Sequence, residues 1–353
     1  MNHNALIAMS GGVDSSVAAY LTQAEGIFCV GATMQLCSRE LVPHASDHTH
    51  DARSVAAKLG MDFHVFDARE LFRDKVVNDF VARYEAGLTP NPCIVCNRHL
   101  KFDYLIQKAL ALGCDQVVTG HYARVRYDAA TGRHLLLKAA DPAKDQSYFL
   151  ACIEPSMLAH IRFPLGELTK EQVRQIALEQ GFINAQKRDS QDICFIPDGD
   201  YSAFLRRYTG KQYPAGDFLN TDGQVVGTHS GAVDYTLGQR KGLGLALGTP
   251  VYVCGKDMER NTVTVGPNEA LFCDTVLAND WRWFCFDTLL EPMRVTAKAR
   301  SRHIPQEATV YPLENGYARV VFTEPQRALT PGQAIVLYRD DLVVGGGTIT
   351  SVG

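Results

Sequence analysis

The 353-residue chain is 46% hydrophobic and 21% charged with a formal charge of −4, which fits a folded, soluble protein and excludes a disordered or broadly polybasic one. Its length exceeds one core and predicts about two or three domains; no apolar run is long enough to span a bilayer, and no secretory leader pattern opens it. Ten cysteines without such a leader predict a reducing, cytoplasmic compartment, and any nucleic-acid partner must be met by local basic patches.

In chain order, Ala5-Leu6-Ile7-Ala8-Met9 reads as a buried parallel strand, and Val13 to Gln23 as a helix. Between them lies Ser10-Gly11-Gly12-Val13-Asp14-Ser15-Ser16. Strand, glycine turn and helix N-terminus form a geometry that collects phosphate, because the glycines admit an anion close to the backbone and the first-turn N–H groups point at it. Ser10 and Ser15 add hydroxyl donors, and the loop carries no Lys, which separates it from the G-x-x-x-x-G-K-[ST] nucleotide loop. Strands over Gly26–Met34, Met61–Phe66 and Gln116–Thr119 alternate with helices over Asp51–Leu59, Asp74–Ala86 and Leu100–Leu112. That order predicts an α/β doubly wound parallel sheet with ligands at the C-terminal strand ends, where Met34 could meet an adenine and Gly120, in Gly120-His121-Tyr122-Ala123-Arg124, could admit a nucleotide. His44, His48 and His50 read as a solvated loop capping the next helix rather than as a metal site, since they lack paired cysteines at fixed spacing.

Two cysteine segments carry reactive potential. Thr89-Pro90-Asn91-Pro92-Cys93-Ile94-Val95-Cys96-Asn97-Arg98 is stiffened by its prolines and predicts Cys96 near the start of a helix running on from Asn97. There the helix N-terminus, with Arg98 or Lys101, would lower the thiol pKa and favour a nucleophile. Cys194, in Asp189-Ser190-Gln191-Asp192-Ile193-Cys194-Phe195, stands between a core role and a chemical one, while Cys29, Cys114, Cys152 and Cys254 read as core residues. Lys144-Asp145-Gln146-Ser147-Tyr148 is a compact polar cluster, and Thr169-x-x-Gln172 is a capping box opening a helix that runs to Gln180. From about Tyr208 short glycine-separated strands replace the helices. Arg294 to Arg300 alternates basic and apolar residues, and Asn315-Gly316 marks a type I′ hairpin. A small β-barrel with a basic strand face follows, a surface suited to RNA.

These motifs together resemble the tRNA-specific 2-thiouridylases of the PP-loop ATP pyrophosphatase superfamily: the AMSGGVDSSVAA opening, TPNPC..CN..LKF, TGHYAR, KDQSYFL, DSQDICFI, YTLGQRKGLG, the VYV.GKD run and the PGQ…GGG ending. The resemblance covers nearly the whole chain. It implies a PP-loop domain over residues 1–207, a central β-rich domain over 208–272 and a C-terminal barrel over 273–353 that contacts tRNA. It also implies adenylation of the C2 oxygen of wobble uridine by ATP with Mg²⁺, then sulfur transfer from a persulfide relayed by a cysteine desulfurase or sulfur-relay protein, on tRNAs of the Lys, Glu and Gln type. Carried over by motif, Ala8, Met9, Ser10, Gly11, Gly12, Val13, Asp14 and Ser15 bind the ATP phosphates, with Met34 and Gly120 on the nucleotide. Cys194 bears the persulfide, and Cys96 is its partner nucleophile, able to close a Cys96–Cys194 disulfide. Asn91, Pro92 and Cys93 line the base; Lys144, Asp145, Gln146, Arg300 and Ser301 touch tRNA. Many members of the family carry Asp where this chain has Cys93, and a thiol is no carboxylate base at its usual pKa. Cys93, Cys96 and Cys194 also admit a [4Fe–4S] cluster, as in related RNA thiolases. The rival enzyme class is an amide-forming PP-loop synthetase that adenylates a small molecule.

Overall fold

Ala5, Leu6 and Ile7 have no solvent exposure, as expected of an apolar strand covered on both faces. Their strand, Asn4–Ala8, is central in a five-stranded parallel sheet whose order is Phe63–Asp67, Phe28–Gln35, Asn4–Ala8, Gln116–Val118, Ile161–Arg162. The expected doubly wound sheet is therefore present. The computed structural model describes residues 4–38, 41–42, 49–187 and 193–353. His44, His48 and Asp189 to Asp192 lie outside the described residues. His50 falls in the helix Thr49–Lys58, with Nδ1 3.7 Å from the Asp51 carboxylate.

One core face of the sheet packs Val17, Ala18, Val55, Ala56 and Val173, and the other packs Phe102, Leu105, Leu136 and Tyr148. The helix Lys170–Glu179 opens on the expected capping box, with Thr169 and Gln172 bonding each other's backbone N–H. A four-stranded central sheet follows, in the order Tyr252–Asp257, Thr262–Gly266, Gly216–Leu219, Val225–His229, around Phe218, Val253 and Val263. The last strands close on themselves as a six-stranded barrel: Phe272–Trp283 pairs with both Ala318–Arg327 and Leu342–Val352. Asn315 and Gly316 both take positive φ, 57° and 74°, at the predicted hairpin tip.

The barrel does not stand apart. A hairpin from the first half of the chain, Arg124–Asp128 with Arg133–Leu137, joins its sheet through Leu137 opposite Leu342. The buried Tyr148 hydroxyl donates to the Ala334 carbonyl at 3.0 Å. Gln333 Nε2 donates to the Thr89 carbonyl at 2.9 Å, and Thr89 N–H donates to Pro331 O at 3.0 Å, so the Pro331-Gly332-Gln333 turn grips the segment leading to Cys93 and Cys96. Gly332 is required there: its φ is +91°, and a Cβ would sit 3.0 Å from Leu88 Cβ and Thr89 N. Among the described residues no helix is long and apolar enough to cross a membrane.

Candidate active site

The phosphate-type loop folds as its sequence dictates. Gly11 takes φ 73°, Gly12 is the N-cap of the helix Val13–Ala24, and no side chain caps that helix, so its N-terminus is not taken up by a capping side chain. Ala8 ends the strand, Met9 is buried and donates its N–H to Ala32 O at 2.7 Å, and Val13 is buried. Ser15 Oγ accepts from Ser10 N–H at 3.2 Å, lies 3.3 Å from Ser10 Oγ and donates to Gly12 O at 3.1 Å, so the hydroxyls hold the loop's shape.

Asp14 puts a carboxylate in the first helical turn, where it would repel an anion unless neutralised. Lys170 Nζ donates to Asp14 Oδ1 at 2.6 Å and the Tyr122 hydroxyl donates to the same oxygen at 2.9 Å. Lys187 Nζ reaches Gly11 O at 3.3 Å and Asp51 Oδ2 at 2.8 Å, and Asn184 Nδ2 donates to Gly11 O at 3.2 Å. The cations missing from the loop thus arrive from more than 150 residues downstream. Sequence reasoning gave Lys170, Lys187 and Asn184 no role at the loop; the one local signal was that Lys187 opens the Lys187-Arg188 pair just before the DSQDICF segment.

Met34 is half-buried on the strand beside the loop's own strand, paired with Phe66. Gly120 lies against the loop itself: a Cβ would come within 2.7 Å of Asp14 C and Ser15 N, so only glycine allows this approach. The next residue, His121, is buried; its Nδ1 is 2.7 Å from Thr119 Oγ1 and its ring is 5.9 Å from that of Phe102. Burial first, and then Lys101, hold His121 well below its ordinary pKa and therefore neutral.

Phe102 belongs to the segment that carries the thiols. The sequence placed the helix start after Cys96; in the structure Pro92 is already the first helical residue, its fixed φ and missing N–H suiting that position. Helix Pro92–Cys96 continues through a π-helical stretch, Asn97–Tyr104, so Cys93 occupies the first turn and Cys96 the second. The expectation of a lowered Cys96 pKa is reversed. Cys96 is 7% exposed, and burial pushes its thiol up to about 12 against the opposing pull of Lys101. Arg98 turns away, bonding Asp280 Oδ2 at 2.8 Å and Glu154 Oε1 at 3.3 Å. Cys93 reaches solvent, yet crowding around its sulfur also raises its pKa. Asn91 lines a cleft of about 280 Å³ with Ile94, Val95, Arg98 and Gly332.

Cys194 is exposed, and Lys101 lies within electrostatic reach of Cys93, Cys96 and Cys194 alike. Its thiol and that of Cys37, a residue the sequence reading left unassigned, are close enough to influence each other's ionisation. All ten cysteines are free thiols. The helix that carries Cys93 and Cys96 leads on to Phe102, whose ring meets His121, the residue after Gly120 on the anion loop.

The residues assigned to tRNA contact make internal bonds. Asp145 accepts from Ala139 N–H at 3.0 Å and from Ser147 Oγ at 2.7 Å, and Gln146 Oε1 accepts from Tyr122 N–H at 2.9 Å, while Lys144 is half-buried beside them. One Arg300 nitrogen donates to Leu237 O at 3.3 Å, Ala328 O at 2.8 Å and Thr330 Oγ1 at 2.6 Å, which ties the central sheet to the barrel; Ser301 is half-buried in the turn that follows. Of the alternating strand, Val295 and Ala297 face the barrel core, Arg294 is exposed, and Lys298 lies over the Tyr148 ring at 5.9 Å. The basic face is thus partly turned onto the first domain, not onto solvent.

Residues 3–198 match the family described as tRNA methyl transferase HUP domain, 202–267 the tRNA methyl transferase PRC-barrel domain and 273–349 the aminomethyltransferase beta-barrel domain. The chain is 44% identical to the tRNA-specific 2-thiouridylase MnmA of Clostridioides difficile (strain 630), over 99% of this chain and 98% of that protein. It is 45% identical to the protein of that name from Acetivibrio thermocellus, over 98% of each. For the one from Heliobacterium modesticaldum the identity is 46%, over 99% of this chain and 93% of the relative.

Proposed function

The chain belongs to the tRNA-specific 2-thiouridylase family, and on that premise we propose that it spends ATP to adenylate the C2 oxygen of wobble uridine and replaces that oxygen with sulfur handled by Cys194 and Cys96. A carbonyl oxygen is a poor leaving group; joined to AMP it leaves readily. The loop Ala8 to Ser15 would hold the departing pyrophosphate, with Lys170 offsetting Asp14 and Lys187 adding charge beside Gly11. Met34 and Gly120 would border the nucleotide, and Asn91, Pro92 and Cys93 the base. Cys194 at the surface suits receipt of a persulfide from a cysteine desulfurase or relay protein; Cys96, once deprotonated, would attack Cys194 Sγ, releasing the outer sulfur as hydrosulfide that displaces AMP at C2 and leaving a Cys96–Cys194 disulfide. Lys144, Arg300 and Ser301 would act on tRNA of the Lys, Glu or Gln type at the edges of their internal contacts. A chain with ten cysteines and no secretory pattern accords with a reducing, cytoplasmic setting. Although the family descriptions speak of methyl transfer, a cluster of thiols beside an anion loop is chemistry for sulfur.

Among the described residues no group of three or more His, Cys, Asp or Glu side chains is arranged to hold a metal. Mg²⁺ fits as an ion carried by the ATP phosphates, where it neutralises charge as pyrophosphate leaves. Cys93, Cys96 and Cys194 do not fit an iron–sulfur cluster in this arrangement, and no step runs through one.

The observation that carries the proposal is the route from the thiols along their own helix to Phe102, across its ring contact with His121, to Gly120 on the loop. The test is Cys96→Ser and Cys194→Ser: each abolishes thiolation while ATP binding survives. Full activity in both variants would favour an amide-forming synthetase.

A further inference from the structure

Cys37 follows the strand Phe28–Gln35 by two residues, at the ligand edge of the sheet. It packs with Leu36 and Ile193 against the core cluster that holds Cys96, Phe195 and Ile196, which brings it to both cysteine segments. Its side chain comes close enough to that of Cys194 for the two thiols to influence each other's ionisation. The two differ from Cys96 in access: Cys194 is exposed and Cys37 half-buried, whereas Cys96 is 7% exposed. A disulfide left between Cys96 and Cys194 after sulfur transfer would have one sulfur closed to any external reductant.

We propose that Cys37 is an internal resolving thiol, which moves the disulfide from the buried Cys96 to an accessible Cys37–Cys194 pair. The inference rests on the reading that sulfur passes through Cys194 and Cys96. The Cys37 thiolate attacks Cys194 Sγ; the Cys37–Cys194 bond forms, the Cys96–Cys194 bond breaks, and Cys96 leaves as a thiolate that takes a proton from solvent. Cys37 is oxidised and Cys96 reduced, so the exchange needs no outside oxidant or reductant. A dithiol reductant then opens the surface pair and resets both thiols. Burial keeps the released Cys96 protonated, its thiol pushed up to about 12, which disfavours its attack back on the new pair.

The test is peptide mapping of the full-length protein, alkylated without reduction after turnover with tRNA, ATP and a small-molecule persulfide donor. A Cys37–Cys194 peptide as the larger share of disulfide-bonded Cys194 is expected. A larger share of Cys96–Cys194, or no disulfide at Cys194, overturns the proposal. In Cys37→Ser the Cys96–Cys194 peptide should accumulate, and multiple-turnover thiolation in the presence of a dithiol should fall by about tenfold; unchanged multiple turnover overturns it. Failure of the underlying reading looks different: Cys194→Ser would then still thiolate tRNA.

Discussion

Lys170 donates to Asp14 at 2.6 Å across 156 residues of chain, and this ion pair binds the capping-box helix to the anion loop. The lysine is almost fully buried, with 6% of its side chain exposed, while Asp14 is about one-third exposed. The two partners are therefore unequal. Asp14→Ala takes one carboxylate from a buried ammonium and should cost about 2 kcal/mol, more than Lys170→Met does. Thermal or urea unfolding of the two variants checks the order; equal or reversed losses would contradict it.

Gly120→Ala would push a Cβ to within 2.7 Å of the Asp14 and Ser15 backbone. Overpacking of this kind costs about 1–3 kcal/mol, and here the strain falls on the loop, so ATP binding by calorimetry should weaken at least as much as the fold does. Undiminished ATP affinity would place the nucleotide elsewhere.

The thiols should separate by reactivity. On the helix Pro92–Cys96, Cys93 reaches solvent, whereas Cys96 is buried and its thiol pushed up to about 12. With iodoacetamide near pH 7.5, time-resolved peptide mass spectrometry should find Cys93 modified before Cys96, about one Cys96 in 10⁵ being thiolate at neutral pH. Early labelling of Cys96 would refute the assigned electrostatics.

His121 gives stability a pH dependence of known sign. Its folded pKa lies well below 6.5, so the unfolded chain binds the proton more readily. The stabilisation is complete above 6.5 and is lost as the pH falls below that value. His99, His229 and His303 are depressed in the same direction and add to the slope. His121→Gln should flatten part of the decline in melting temperature between about pH 6.5 and 5; an unchanged slope would mean that His121 is not kept neutral by its surroundings.

Local signals carried most of the architecture. The glycine turn before Val13, the Thr169–Gln172 capping box and the Asn315-Gly316 hairpin depend on a few adjacent residues, and each formed as read. What stayed hidden depends on contacts between distant segments. Nothing near Thr89 says that Gln333 will hold it, and nothing near Cys37 points to Cys194. Cys96 failed for a related reason: helix position and basic neighbours are visible in the sequence, but the burial that outweighs them is not. Arg300 was legible as a basic residue on a strand, yet its three acceptors come from Leu237, Ala328 and Thr330.

The central claim is that the anion loop and the thiols serve one reaction on tRNA. Mass spectrometry of nucleosides from Lys-, Glu- and Gln-type tRNAs, incubated with the full-length protein, ATP, Mg²⁺ and a persulfide source, tests it directly. The expected result is 2-thiouridine at the wobble position with AMP and pyrophosphate released in step. ATP binding without 2-thiouridine in any of these tRNAs would contradict the claim.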